Sequence, residues 1–163
     1  MDIPARAAEL IAQLGLLPHP EGGYYRQVFK SGLAVQAADA RSSRSALTTI
    51  YFLLPGSDIS RWHLVTSDEV WHHYEGAPLE LFTADASFST TAHHVLGPVA
   101  DTTAPVHVVD AHRWQAARST GAFTLVGCTV APGFEFADFT MLCDVPALAD
   151  RVRQQHPALA FLI

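Results

Sequence analysis

Residues 60–76 read SRWHLVTSDEVWHHYEG, and they crowd three histidines, an Asp-Glu pair, two tryptophans and a tyrosine into one short span. The segments on either side, IYFLLPG (50–56) and APLELF (77–82), are apolar enough to be buried strands. Taken as two strands joined by a turn at Thr66-Ser67-Asp68, the span alternates. Arg61, His63 and Val65 share one face of the first strand, and Glu69, Trp71 and His73 share one face of the second. If both faces look into a barrel, His63, Glu69 and His73 converge there. A bulge or a change of register would instead turn His72 and Tyr74 inward, and the sequence leaves that choice open.

The same texture extends through most of the chain. YYRQVF (24–29), LTTIYFLL (47–54), ISRWHLV (59–65), LELFTA (79–84), AHHVLG (92–97), PVHVVD (105–110), RWQAAR (113–118) and FTLVGCTVA (123–131) are short runs rich in β-branched and aromatic residues. Gly, Pro, Ser or Asp punctuate them, at the spacing of about 8–12 residues that marks a sandwich or barrel. Helical patterns flank this region. Ile3, Ala7, Leu10, Ile11 and Leu14 make one stripe over 3–14, with Asp2 and Pro4 suited to its start and Gly15 to its stop. Leu148 and Val152 predict a second helix over about 146–155. With no linker, repeat or low-complexity tract, the chain reads as one all-β domain over 1–163, its barrel spanning about 22–142. TIYFLL and TLVGCTV are apolar on both faces, as strands covered on both sides are, or strands whose outer face meets a second subunit. A homodimer is the expected assembly.

Composition narrows the partners. The chain has 163 residues, 49% hydrophobic and 16% charged, as a globular protein does. Its apolar runs fall short of the roughly 20 residues that cross a bilayer. The opening MDIPARAAELIAQLG has no basic-apolar leader pattern, so a cytoplasmic protein without a membrane partner is expected. Net charge is −6 and Lys30 is the single lysine, which leaves no basic face to neutralise phosphates and argues against nucleic acid. Cys128 and Cys143 sit in apolar surroundings without CxxC spacing and are expected as buried free thiols.

Two imidazoles and a carboxylate from His63, Glu69 and His73 would suit a divalent transition metal with open positions, although no cofactor is required. Without metal, the same groups form an acid–base site in which a carboxylate tunes His63. His19, His93, His94, His107 and His156 read as surface or hydrogen-bonded filler. Trp62, Trp71, Tyr74 and Trp114 read as core packing, or as walls if the core holds a pocket.

These motifs resemble a known family. Gly56, His63, Glu69 and Gly76 are similar to the first cupin motif, in which two histidines precede the glutamate; Arg61 stands at the first histidine position. HPEGGYYRQVF (19–29), TTIYFLLPG (48–56), SRWH (60–63), DEVWHHYEGAPLEL (68–81) and LVGCTVAPGFEFADF (125–139) resemble the Cupin_5 (DUF985) family of the RmlC-like cupin superfamily, over roughly residues 4–142. The resemblance implies a double-stranded β-helix, or jelly roll, that pairs as a dimer. The second cupin motif, P-x-G-x-x-H, matches DAHRWQ (110–115), so Gln115 stands where the last metal histidine would be. Two of the four usual metal ligands are thereby replaced, by groups that hydrogen bond instead.

The expected activity follows from that exchange. Arg61 would grip a carboxylate or phosphate, and Gln115 would read a carbonyl or amide edge. The expected ligand site is Arg61, His63, Glu69, Trp71, His72, His73, Trp114 and Gln115, holding a small polar organic molecule, sugar-like or nucleotide-like. Behind that come a metal-independent epimerase or isomerase, with His63 and either Glu69 or Asp68 as base and Tyr74 or Tyr25 as acid, then a metal-dependent cupin enzyme, then a structural protein.

Overall fold

The computed structural model describes residues 3–163. Helix α1 (Ala5–Leu14) begins after Pro4 and stops at Gly15, whose φ of +61° is the left-handed turn that closes helices. Asp2, read above as part of the helix start, lies outside the described residues.

Thirteen strands follow among those residues. They are β1 (Leu17–Pro18), β2 (Tyr24–Lys30), β3 (Ala34–Val35), β4 (Arg44–Ser45), β5 (Thr48–Pro55), β6 (Ile59–Val65), β7 (Asp68–Gly76), β8 (Leu79–Ala84), β9 (Thr91–Leu96), β10 (Val106–Val109), β11 (Trp114–Ser119), β12 (Phe123–Ala131) and β13 (Phe139–Met141). Helix α2 (Pro146–Gln155) runs over the span its pattern predicts, and a 3-10 helix (Pro157–Leu162) follows it.

One sheet runs β1-β2-β5-β12-β7-β10 and the other β13-β6-β11-β8-β9, while β3 and β4 pair separately. All strand pairs are antiparallel. The chain changes sheet between β5 and β6, between β6 and β7, and again between β7 and β8. Antiparallel strands that cross in this way wind into a jelly roll.

The apolar stripes explain the layers. The inner faces of β5, β7, β8 and β12 meet through Phe52, Leu54, Trp71, Leu79, Leu81 and Val126, which fill one half of the barrel. On the outside of the first sheet, Ala7 and Leu10 of α1 pack against Leu53, Phe123 and Leu125. On the outside of the second, Ala149, Val152 and Leu162 pack against Trp62, Phe88, Trp114 and Ala116. The two-sided apolarity of β5 and β12 is therefore met largely within this chain, because α1 covers the face that a second subunit was expected to cover. Cys128 is buried as expected, but Cys143 is exposed; both are free thiols.

Trp114 shows how period-2 alternation sorts neighbours. It faces the α2 side, while Gln115 beside it points into the barrel. Trp114→Ala is therefore expected to cost about 3–5 kcal/mol of stability, read as a lowered denaturant midpoint, without changing any property of the barrel interior.

Candidate functional site

The half of the barrel that apolar side chains do not fill is a cavity of about 210 Å³. Its position follows from the inner-face residues at one end of each strand. β5 contributes Thr48 and Ile50, β12 contributes Cys128 and Val130, β6 contributes His63 and Val65, and β7 contributes Glu69. Phe52 marks the boundary with the filled half, belonging both to the cavity wall and to the core.

Glu69 is 7% exposed and needs a partner to be tolerated there. Gln115 supplies one. Its Nε2 donates to Glu69 Oε2 at 2.6 Å, and its Oε1 accepts from Trp71 Nε1 at 2.9 Å. The strand register sets this chain of bonds, since Gln115 lies opposite His63 on β6 and opposite Thr83 on β8. Burial still pushes the Glu69 carboxyl above its ordinary range, against the opposing pull of His63. Burial likewise raises the Cys128 thiol well above its usual value.

A second buried carboxyl comes from outside the sheets. Residues 19–23, HPEGG, form a turn closed by His19 N–H to Gly23 O at 3.0 Å and by Gly22 N–H to His19 O at 3.0 Å. Gly22 has φ of +115°, and a Cβ there would sit 2.0 Å from the Ile59 carbonyl oxygen, so only glycine fits. The turn is held against β6 by Gly23 N–H to Asp58 Oδ2 at 2.9 Å and by Arg61 N–H to Glu21 O at 2.9 Å. Glu21 is thereby directed into the cavity, where its Oε1 accepts from Ser60 Oγ at 2.7 Å.

The protonation pattern around Glu21 can be worked out from its neighbours. His63 Nδ1 lies 2.8 Å from the Arg61 carbonyl, which can only accept, so Nδ1 carries the proton and Nε2 keeps a lone pair. The Glu21 backbone N–H donates to His19 Nδ1 at 3.3 Å, so that nitrogen also offers a lone pair. His63 Nε2 and His19 Nδ1 each lie 3.4 Å from Glu21 Oε2, but only the His63 lone pair is free, since the backbone N–H takes that of His19. A protonated Glu21 is the form that suits the free lone pair of His63. Burial agrees, raising the Glu21 carboxyl and lowering both His63 and His19 from their ordinary values.

The remaining wall is aromatic. Phe139 stacks on His63 with centroids 5.3 Å apart, and Tyr25 meets His19 edge to face at 4.6 Å. Phe134 and Phe136 come from the loop after β12, and Phe136, 53% exposed, stands at the rim. Asp138 anchors that loop. Its carboxylate accepts from Arg44 Nε at 2.7 Å and from Arg44 Nη2 at 2.8 Å, a bidentate pair that holds the Asp138 carboxyl below its ordinary value.

The expected site residues divide on these facts. His63 and Glu69 line the cavity, and Gln115 and Trp71 buttress Glu69 from behind. Arg61 does not line the cavity; its Nη1 lies 3.4 Å from the Glu21 carbonyl. Trp114 lies outside the barrel. His73 shares the inner face with Glu69 and Trp71 but does not reach the cavity, and its Nε2 lies 3.2 Å from the Ala77 carbonyl. The pairing of β7 with β12 slips between Leu125 and Val126, which leaves Tyr74 as the extra, bulged residue. Because the slip falls after His73, it does not turn His72 inward. His72 and Tyr74 stack on the outer face, where Tyr74 covers Gly127 and is 52% exposed.

His19, Glu21 and the phenylalanines at 134, 136 and 139 are cavity residues that sequence reasoning missed. Glu21 had a signal: an acid wedged between Pro20 and two glycines, inside one of the motifs carrying the family resemblance. His19 was expected as filler and is instead part of the cavity wall.

The donor set does not fit a cupin metal. His73 is remote, Gln115 turns its amide N–H toward Glu69, and Arg61 replaces an imidazole. Among the described residues, no group of three His, Cys, Asp or Glu side chains is placed to hold a metal ion.

A jelly roll with a half-filled barrel and polar groups on β6, β7 and β11 defines the cupin class. A family model described as the Cupin superfamily (DUF985), Cupin_5, matches residues 8–142, and the chain belongs to that family. It is similar to a hypothetical protein from Leishmania major, at 27% identity over 96% of each chain with a TM-score of 0.83. It is similar also to a structural-genomics target protein from Shewanella oneidensis, at 31% identity over 96% of this chain and 95% of that one, with a TM-score of 0.82. A dTDP sugar isomerase from Desulfovibrio desulfuricans shares the fold at 12% identity and a TM-score of 0.51, over 73% of this chain and 80% of that one. A search of curated proteins matches nothing. No helix among the described residues is long and apolar enough to cross a membrane.

Burial of Glu69 has a measurable sign. A carboxyl whose folded pKa is raised contributes most favourably when protonated, and it gives up stability as pH rises from its ordinary value of 4.5 through the raised one. Glu69→Gln keeps an acceptor for Gln115 and cannot ionise. Its thermal midpoint is expected to exceed the wild type at pH 8, with the gap narrowing toward pH 4.5. An equal or lower midpoint at pH 8 would mean that the carboxylate is fully compensated in the fold.

Proposed function

We propose that this cupin binds a small polar organic molecule, of about one ring in size, inside the barrel. The observation that carries this reading is a cavity of about 210 Å³ in which Glu21, His63 and Glu69 are fixed against a largely apolar wall. Ligand sites have this composition, apolar walls with a few placed polar groups, and this cavity is at the small end of their range. A structural role would be better served by extending the core across the barrel, since burying two carboxyls costs stability without a use for them.

The geometry narrows the expected ligands. No arginine or lysine lines the cavity, so a phosphate would enter without a cationic partner, and a nucleotide is disfavoured. A panel of monosaccharides, keto acids, nucleosides and small amines, screened by thermal shift and native mass spectrometry, tests the reading. At least one compound should raise the midpoint, and Ile50→Phe, which narrows the cavity, should abolish that rise. Silence across the panel, or an unchanged response in the variant, would refute binding inside the barrel.

A second reading, proton transfer at carbon as in an epimerase or isomerase, is favoured by the His63 tautomer. With Nδ1–H held by Arg61, Nε2 is the free base, and Tyr25 or protonated Glu21 is the acid within the same cavity. The sugar isomerase that shares the fold is in keeping with this chemistry.

We infer also that the chain works as a homodimer. β1 pairs only with Tyr24 and Tyr25 of β2, which leaves Arg26–Lys30 as an open edge carrying exposed Val28 and Phe29. Light scattering coupled to size exclusion should give twice the 17.7 kDa chain mass, and Val28→Lys with Phe29→Lys should return the monomer mass.

A further inference from the structure

The cavity has an unusual balance of charge. Among the described residues, two carboxyl groups, Glu21 and Glu69, reach it, and no arginine or lysine does. Glu69 has an amide donor on one oxygen but no cationic side chain bonded to it. Against this stand the rings of Tyr25, Phe52, Phe134, Phe136 and Phe139. Aromatic faces carry negative potential and attract cations, most strongly where water is excluded.

A sugar suits this arrangement poorly. Its hydroxyls are distributed around the ring, whereas the wall here is largely apolar. Thr48 Oγ1 already accepts from Phe134 N–H at 3.0 Å. Hydroxyls left facing phenylalanine would each cost about 1–3 kcal/mol. A substituted ammonium has the opposite demand, one centre of positive charge with apolar substituents around it. A carboxylate and a wall of aromatic rings meet that demand.

We propose that the ligand of this cavity is an organic cation, a substituted ammonium whose charge is held by Glu69 and whose alkyl groups lie against Phe139, Phe134 and Tyr25. The inference rests on the cavity being a binding site and names the chemical class that occupies it.

Choline and its uncharged isostere 3,3-dimethyl-1-butanol differ in charge and hardly in shape, so their comparison isolates the claim. Calorimetric titration of the wild-type protein should show choline binding at least about tenfold more tightly than the isostere, as expected for a cation desolvated against a carboxylate and aromatic rings. Glu69→Gln should weaken choline while leaving the isostere unchanged, and Phe139→Leu should weaken choline more than the isostere. Circular dichroism melts establish that each variant is folded. Equal affinity for the two compounds, or no choline binding, overturns the cationic class. A midpoint rise with a neutral member of the wider panel would then leave the binding cavity standing, whereas silence across that panel would remove the cavity reading too.

Discussion

The cost of placing a carboxyl group inside a jelly roll organises much of this protein. Glu69 is affordable only because Gln115 is aimed at it from the opposite sheet and is itself fixed by the Trp71 indole. That chain of bonds ties β7 to β11 across the barrel. It places a large indole directly behind the acid and sets the depth at which apolar packing gives way to the cavity. A fully satisfied polar network of this kind fixes one arrangement of its members, whereas a partly satisfied one would be among the first places for the structure to fail.

The same network explains why the familiar cupin donor positions are here without their usual role. An imidazole at residue 115 would bring a lone pair to a metal; the glutamine brings an N–H and points it at Glu69 instead. The barrel has kept the position and changed the sign of what is offered there. Around Glu21, His63 presents its free lone pair to a group that meets it best as a neutral acid, while His19 accepts the Glu21 backbone N–H. The interior is thus a proton-bearing surface, built from matched donors and acceptors.

Much of the fold was legible in the sequence, since β-strand alternation and short spacing are local signals. β6, β8 and β12 run over the residues their patterns predict, and α2 does so as well. The site was legible only in part. His63 and Glu69 alternate inward on strands whose other inward residues are apolar, so period 2 finds them. His73 obeys the same alternation yet lies outside the cavity, because strand period gives a face and not a depth. Tyr74 depended on one slipped register between β7 and β12, which no pattern within β7 encodes. Trp114 was expected as a wall beside Gln115, but adjacent residues on a strand face opposite ways. Glu21 and the phenylalanines of residues 134–139 arrive from segments outside the two sheets' central strands, and their convergence is a property of tertiary docking alone.

The HPEGG turn has a consequence for how this barrel can diversify. It belongs to neither sheet's hydrogen-bond ladder over His19–Gly23, yet it delivers an acid and an imidazole to the deepest polar part of the interior. Strand residues that line a barrel are constrained twice, by their neighbours in the sheet and by the core they share. A five-residue insert seated on the start of β6 is free of the first constraint. Residues 19 and 21 can therefore change chemistry while the strands keep their pairing, which makes the turn a replaceable cartridge: the barrel supplies the chamber, and a short piece of chain outside its ladders supplies part of the polar lining.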